Sequence, residues 1–276
     1  MIAFDFDYYK PSTLSEAVET FQLALHTGKQ AIFYAGGTEF ITFARTNKKR
    51  ADVVIDIKGI PECMTLEVIG AELIIGAAVS LTTIVESNLF PLLGKTVQRI
   101  ADHTSRNKIT IGGNVNSHFI YREGVLPFLL ADAKGMIGGK GGEKILPLEQ
   151  ILNEGLDEGE LLVQIHVDQS YIDLPFSTIK RTRMSKTGYP IVTVAALEKD
   201  KRIRTAFSGV CEFPFRSEKI ETLLNDPSIS KEERIKQVID HLPGPVVQDI
   251  HATAGYRKFV LKNVLTDTLE AMEGNG

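Results

Sequence analysis

Apolar residues recur along this chain with two different periods. Leu14, Ala17, Val18, Phe21 and Leu25 follow helical spacing behind Thr13, and Glu16 is placed to complete a capping box, so a helix is expected over 14–25. Ala31-Ile32-Phe33-Tyr34 is a β-prone run that stops at Gly36-Gly37, and Val53 to Ile57 is another. Leu66 to Ile69 and Leu73 to Ala77 predict a hairpin turning near Gly70-Ala71. Helices are expected over 82–93 and 94–103, a short buried helix over Leu126 to Leu130, and a glycine-rich hairpin over Lys134 to Lys144.

After the polar stretch Asn153 to Glu160, a strand is expected at Leu161 to Val167, and 168–175 reads as a connection and main domain boundary. Strands at Ile191 to Leu197 and Arg204 to Val210 then alternate with helices at Arg216 to Leu224 and Lys231 to Leu242, and Gly255 to Met272 forms a closing amphipathic helix. No solenoid period and no sustained heptad is present. The pattern predicts an α+β chain.

With 276 residues, two parts each with its own core are expected, and 43% hydrophobic against 24% charged residues describes a folded chain rather than a disordered one. The formal net charge of −4 argues against a global basic field for nucleic acid or an anionic membrane. No 18 apolar residues run together and Met1 to Asp7 does not resemble a secretory start, so a cytoplasmic location is expected. Cys63 and Cys211 are the only cysteines, too few for an iron–sulfur cluster, a disulfide framework or a cysteine-rich zinc site; both read as reduced structural thiols and no metal site is expected.

Candidate chemistry lies in two glycine turns. Ala35-Gly36-Gly37-Thr38 follows a predicted strand, and its bare backbone lets a phosphate approach N–H groups closely while Thr38 adds a hydroxyl. Thr110-Ile111-Gly112-Gly113-Asn114 again joins a hydroxyl, paired glycines and a side-chain amide. Two such turns suit a dinucleotide pyrophosphate, although an ordinary strand-ending turn is the plain alternative for each. Neither a Gly-x-Gly-x-x-Gly fingerprint nor a phosphate loop ending in Gly-Lys-Ser/Thr is present, and Gly138 to Gly142 reads as a hairpin. His103 and His118 flank the second turn without partners at ligand spacing and read as polar or structural groups.

In this order and context the turns resemble the FAD-binding subunits of molybdenum hydroxylases, the family of xanthine dehydrogenase and carbon monoxide dehydrogenase. The resemblance runs over nearly the whole chain through Tyr9-Lys10-Pro11, Leu14-Ser15-Glu16-Ala17, Val54-Ile55-Asp56-Ile57, Ile75-Gly76-Ala77, Arg106-Asn107, Glu160-Leu161-Leu162, Phe176 and Arg183, and Tyr256-Arg257. It implies a two-lobed FAD-binding domain of the PCMH type over 1–168, with subdomains about 1–58 and 59–168, and a smaller α+β C-terminal domain over 172–276 like that of the carbon monoxide dehydrogenase flavoprotein.

By that resemblance Phe33, Tyr34, Ala35, Gly36, Gly37, Thr38, Glu39 and Phe40 wrap the FAD pyrophosphate. Ile109, Thr110, Gly112, Gly113, Asn114 and Ser117 hold it and the ribitol from the opposite side. Lys180 approaches the flavin ring, where its charge would stabilise the reduced form; otherwise it is a solvated surface lysine. Ile100 stands where some relatives place a ring-contacting aromatic. Where the family commonly has an Ala-Ser-Pro segment ending in Asp, this chain has Phe119-Ile120-Tyr121-Arg122-Glu123, so Glu123 takes the acidic position, while Phe119 and Tyr121 read as core aromatics or a flavin shield. The first turn carries no histidine, so the flavin is expected to be noncovalent.

The resemblance further implies a molybdopterin-binding large subunit and a 2Fe-2S small subunit as partners, which alone carry the Mo-cofactor and clusters. Electrons would pass from the clusters through FAD to NAD+ or oxygen, with no catalytic side chain on this chain, and xanthine or another purine as the complex's expected substrate. Two other readings stay open: a self-contained FAD-dependent oxidase or reductase, and a noncatalytic nucleotide-binding scaffold.

Overall fold

The computed structural model describes residues 2–274; Met1, Asn275 and Gly276, at the ends of the expected domains, lie outside them. In chain order the first elements are β1 (Asp7–Tyr9), α1 (Leu14–His26), β2 (Ala31–Tyr34), α2 (Thr38–Arg45), β3 (Val53–Asp56), β4 (Leu66–Ile69), β5 (Glu72–Gly76) and α3 (Leu81–Ser87). There follow α4 (Pro91–Val97), α5 (His103–Arg106), α6 (Ile111–Val115), α7 (Leu126–Leu130), β6 (Lys134–Gly139), β7 (Gly142–Pro147), α8 (Leu148–Glu154) and β8 (Leu161–Asp168). The last are β9 (Phe176–Thr182), β10 (Pro190–Lys199), β11 (Arg202–Ser208), β12 (Phe215–Arg216), α9 (Glu218–Leu224), α10 (Lys231–Asp240) and α11 (Ala254–Glu273). Among the described residues no helix is long and apolar enough to cross a membrane.

Two compact units result. The first gathers the chain up to Ser87 with His103–Ser117 and Asp132–Gln169; the second gathers Asn88–Asp102, His118–Ala131 and the chain from Ser170 onward. Segments 88–102 and 118–131, assigned by the sequence reading to the first domain, therefore belong with the second unit. Their apolar residues explain the placement: Leu92, Leu93 and Val97 of α4 and the wholly buried α7 pack on the sheet that β9 to β12 form.

The first unit holds two sheets. β1, β3 and β2 are parallel, with β3 central, and their register sets Tyr34 beside Asp56. Helix α1 starts as its sequence dictates: the Thr13 hydroxyl accepts from Glu16 N–H at 3.2 Å. Glu16 itself reaches Ser12 N–H (2.8 Å) rather than the cap residue's own N–H. The helix buries Ala17, Val18, Phe21 and Ala24, and the Phe21 ring stacks on Phe33 at 4.8 Å. The second sheet is antiparallel in the order β4-β5-β8-β6-β7. Its central strand β8 is buried from Leu161 to Val167, and the two polar groups in that run have partners: Gln164 Nε2 donates to Glu62 O at 3.0 Å, and His166 Nδ1 lies 3.0 Å from Glu72 Oε2.

In the second unit an antiparallel sheet runs β12-β11-β10-β9. Its main core joins Val192, Val194, Ala196 and Phe207 of the sheet to Ile220, Ile235, Val260, Leu261, Val264, Leu265 and Leu269 of α9, α10 and α11. All three helices begin with a serine or threonine cap, Ser217, Ser230 and Thr253.

Where sequence pattern and structure part, local backbone chemistry explains why. The helices expected over 82–93 and 94–103 are instead α3 and α4, separated by Asn88 in the left-handed region (φ 51°) and restarted by Pro91 in the first turn of α4. Ala101 is also left-handed (φ 50°), which ends any continuation to His103. Strands β1, β9 and β12 and helices α2, α5, α6 and α8 were not expected.

The β10–β11 hairpin turns through Asp200 (φ 53°) and Lys201 (φ 61°), two side-chain-bearing residues in a conformation that glycine adopts without penalty. Lys201→Gly should therefore raise stability by about 0.5–1 kcal/mol. A chemical denaturation midpoint that stays put or falls would contradict this account of the turn.

Candidate functional site

The two glycine turns meet. A Cβ added to Gly36 would lie 1.9 Å from the Lys108 carbonyl oxygen and 3.3 Å from Thr110 N, so only glycine lets the loop before the second turn pass across the first. Further along, Ser117 Oγ donates to Glu39 Oε2 at 2.7 Å, a second tie between the two segments.

Each glycine has a separate physical reason. Gly37 caps α2 in the left-handed conformation (φ 71°, ψ −1°), and a Cβ there would strike the Tyr34 ring at 2.2 to 2.4 Å. Gly112 lies on Ala77, whose Cβ would be 2.5 Å from a new methyl. Gly113, by contrast, is exposed, and a Cβ on it would approach only Thr110 Oγ1, at 3.0 Å. Apart from that hydroxyl, no other atom lies within 4 Å in that direction.

The hydrogen bonds divide the labour further. No side chain caps α2, so the N–H groups of Thr38, Glu39 and Phe40 face out of its end, where the helix dipole favours an anion. The second turn is not a source of such donors: Ile111 N–H goes to Val79 O (2.9 Å), Gly112 N–H to Ala77 O (2.8 Å), Gly113 N–H to Thr110 Oγ1 (3.2 Å) and Asn114 N–H to Thr110 O (2.9 Å). Its paired glycines therefore supply close approach, and any polar contact from it must come from side chains. This corrects the expectation of two equivalent backbone cradles.

Beneath the first turn lies an anchor that the sequence reading did not single out. Lys58 Nζ donates to Ala35 O (2.6 Å) and to both Asp56 oxygens (2.7 and 2.8 Å) and sits 4.6 Å from the centre of the Tyr34 ring. Asp56 also accepts from Tyr8 Oη at 2.5 Å. Burial raises the Asp56 carboxyl, but the bonds from Lys58 and Tyr8 outweigh it and hold the carboxyl below its usual range; the same bond pushes the Tyr8 phenol up to about 12. The available signal was the parallel register of β2 with β3, which places the end of the Ile55-Asp56-Ile57-Lys58 run beside Ala35.

Of the expected site residues, Phe33 to Phe40, Ile109 to Asn114 and Ser117 all fall in the first unit, whereas Ile100, Glu123 and Lys180 fall in the second. Glu123 and Lys180 are paired with each other. Lys180 Nζ donates to Glu123 Oε2 (2.7 Å) and to Arg99 O (2.9 Å), and the Thr193 hydroxyl donates to Glu123 Oε1 (2.7 Å). Lys180 is only 4% exposed, which overturns the surface-lysine alternative, and both Glu123 oxygens are already engaged. Burial pushes the Glu123 carboxyl above its ordinary 4.5 against the opposing pull of Lys180 and Thr193. Ile100 is half-buried, one residue beyond the carbonyl that Lys180 holds.

Phe119 is exposed and so is not a core aromatic; Tyr121 is half-buried, donates to Asp249 and lies 5.1 Å from the Tyr189 ring. His103 and His118 are exposed. Cys63 and Cys211 are buried free thiols, pushed up by burial to about 12 and about 11.

Residues 4–169 match the family model described as the FAD binding domain in molybdopterin dehydrogenase. The chain belongs to that family. Among curated relatives, the 6-hydroxypseudooxynicotine dehydrogenase complex subunit alpha of Paenarthrobacter nicotinovorans is 25% identical over 96% of this chain and 93% of its own length. The carbon monoxide dehydrogenase medium chain of Hydrogenophaga pseudoflava is 27% identical, and the match spans only 60% of either chain. A solved structure of the Hydrogenophaga pseudoflava carbon monoxide dehydrogenase lacking the Mo-pyranopterin moiety superposes with a TM-score of 0.88 at 22% identity over 99% of both chains, which shows the fold.

FAD fits the first unit on its own geometry: an uncapped helix end offers donors to a phosphate, and the exposed Gly113 leaves room for close approach beside it.

Removing Lys180 isolates a buried carboxyl. Lys180→Met should cost about 3 kcal/mol, and Lys180→Met with Glu123→Gln should recover part of that. With its partner gone, Glu123 is protonated in the folded state well above 4.5, so the single variant should lose further stability as pH rises beyond that value. Denaturation curves across pH test this; a single variant as stable as the wild type would show that the pair contributes nothing.

Proposed function

We propose that this chain is the flavin subunit of a molybdenum hydroxylase complex, taking electrons from the iron–sulfur clusters of a small partner subunit and passing them to NAD+, while substrate oxidation takes place on a molybdopterin-binding large subunit. The carrying observation is the convergence of the two glycine turns, with the α2 end uncapped and Gly113 bare. When bound, FAD supplies a ring that accepts electrons singly and releases them in pairs.

The protein's own task in this reading is placement. Thr38, Glu39 and Phe40 N–H groups and the Thr38 hydroxyl receive the pyrophosphate; Gly113 allows it to lie against backbone; Thr110, Asn114 and Ser117 supply side-chain contacts. Lys58 fixes Ala35 from beneath, so the cradle is formed before the ligand arrives. Glu39 carries a negative charge in the first turn of α2 and would compete with a phosphate; its bond to Ser117 holds it aside. Glu123 and Lys180 act in this reading by holding the second unit together. No side chain serves as nucleophile or general base.

Among the named curated relatives, the one whose sequence match runs almost the full length of this chain belongs to a complex named for 6-hydroxypseudooxynicotine, whereas the sequence match to the carbon monoxide enzyme is partial although its fold superposes throughout. An aromatic N-heterocycle, xanthine included, is thus the favoured substrate class for a cytoplasmic complex, with NAD+ favoured over oxygen as acceptor.

The test begins with gently purified protein and its visible spectrum, with and without added FAD. Gly113→Val should still fold, because a Cβ there meets only the Thr110 hydroxyl, at 3.0 Å, yet bind FAD at least tenfold more weakly, a loss of about 1.4 kcal/mol or more. Wild-type protein that never takes up FAD, or a Gly113→Val protein that binds it equally well, would overturn the proposal.

A further inference from the structure

Tyr8 lies on β1, an edge strand of the parallel sheet, and is 54% exposed. A tyrosine so placed buries little apolar surface, yet its hydroxyl turns inward and donates to Asp56 Oδ2 at 2.5 Å. Asp56 is 3% exposed and ends β3, the central strand. Beside it, the chain leaves β2 directly into the first glycine turn.

Asp56 is the middle of a short series of bonds. Its two oxygens also accept from Lys58 Nζ (2.7 and 2.8 Å), and Oδ1 accepts from Lys58 N–H (3.0 Å). The same ammonium reaches the turn by two routes: the bond to Ala35 O (2.6 Å), and the face of the Tyr34 ring, against which Gly37 lies with no room for a Cβ. Gly37 O in turn accepts from Ile41 N–H (2.8 Å), the first bond of α2. A lysine ammonium is a point charge on a flexible stem, so it takes one position only where its acceptors are themselves fixed. Tyr8 approaches Asp56 from a different strand and fixes the carboxylate independently of the lysine it holds.

We propose that Tyr8 is a positioning residue for FAD: from strand β1 it orients Asp56, and through Asp56 and Lys58 it sets the Ala35 carbonyl and the Tyr34 ring on which the α2 end is seated. This rests on the flavin-subunit reading above and extends the supports of the cradle to a strand outside both glycine turns. A group that supports a binding residue from behind holds its geometry, so losing it weakens binding without removing a ligand contact.

Asp56 is faced by Tyr8 from β1, by Tyr34 from β2 and by Lys58. Burial raises its carboxyl, and the bonds from Lys58 and Tyr8 bring it below the usual range. What a lowered carboxylate contributes is lost as pH falls through its folded pKa. Without the Tyr8 hydroxyl the carboxyl rises, so that loss begins at a higher pH.

The experiment measures FAD affinity of the full chain from about pH 8 to about pH 4 for wild type, Tyr8→Phe, Lys58→Gln and the double variant. Tyr9→Phe, on the opposite face of β1, is the control. Tyr8→Phe should bind FAD about fivefold more weakly at neutral pH, the worth of one hydrogen bond, and should lose it on acidification at a higher pH than wild type. In the Lys58→Gln background Tyr8→Phe should cost no further affinity, because its effect passes through the ammonium. The Ile41 amide of the FAD-free chain should exchange faster in Tyr8→Phe than in wild type or Tyr9→Phe. The pH comparison and the exchange rate require only Tyr8→Phe, which keeps the ring. Affinity equal to wild type, a loss equal at every pH, or full additivity with Lys58→Gln overturns the proposal. A wild-type chain that takes up no FAD refutes the flavin reading; in that chain, faster Ile41 exchange in Tyr8→Phe supports the coupling of Tyr8 to α2, and unchanged exchange overturns it.

Discussion

At the crossing of Gly36 with the Lys108 carbonyl there is no space for even a methyl group, and the geometry of the first unit's candidate site follows from that contact. Residues 103–117 leave α5 and reach α6 by passing over the first glycine turn, so the separation of the two turns is fixed by backbone touching backbone. Closer packing than this is unavailable to any residue with a side chain. Lys58 then fixes the other side of the same turn through Ala35 O, and its own charge is balanced by Asp56. The turn is held from above by a carbonyl and from below by an ammonium group.

The paired glycines of each turn look alike in sequence, yet they do four different jobs. Gly36 permits a crossing, Gly37 permits a left-handed helix cap, Gly112 permits α6 to lie on Ala77, and only Gly113 is exposed, with the Thr110 hydroxyl as the one neighbour of an added Cβ. A single-letter pattern has no means of separating conformational need from steric need or from ligand access, because all three require the same absence of Cβ. The hydrogen bonds separate them. Since the N–H groups of Ile111 through Asn114 are spent inside the protein, the second turn has no backbone donors to offer, and those of the uncapped α2 end remain. An asymmetric cradle, with donors on one side and bare surface on the other, replaces the symmetrical one that the sequence suggests.

Much of the fold was legible where burial imposes a period. Helix α1 with its Thr13 cap, the β4–β5 hairpin, the glycine hairpin of β6 and β7, and strand β8 were read close to their observed bounds because each has an apolar face or run long enough to show. Short elements escaped. Strand β1 is exposed at all three positions, and α2 hides behind Gly-Gly, which reads as a complete turn by itself. The packing of 88–102 and 118–131 with the second unit escaped as well, because those segments look like ordinary apolar helices and nothing local reveals which sheet they cover.

Glu123 and Lys180 show the same limit for charged residues. Family resemblance directed both toward the cofactor, and residue type suggested water for the lysine; each is nearly inaccessible, which rules out the solvated lysine, and each is answered by the other. A buried ion pair is costly to isolate and adds little over an apolar pair of equal volume, so its retention calls for a role beyond net stability. Its bonding pattern supplies one. Lys180 on β9 holds Arg99 O and Glu123, and Thr193 on β10 holds the other Glu123 oxygen, so the two excursions 88–102 and 118–131 are fastened to neighbouring strands by one polar knot. Those excursions are the chain segments immediately before and after 103–117, the stretch that carries the second glycine turn. An apolar pair would fill the same space without directional bonds; the polar knot specifies which backbone carbonyl and which carboxylate must meet, and thereby fastens both excursions to the sheet of their own unit.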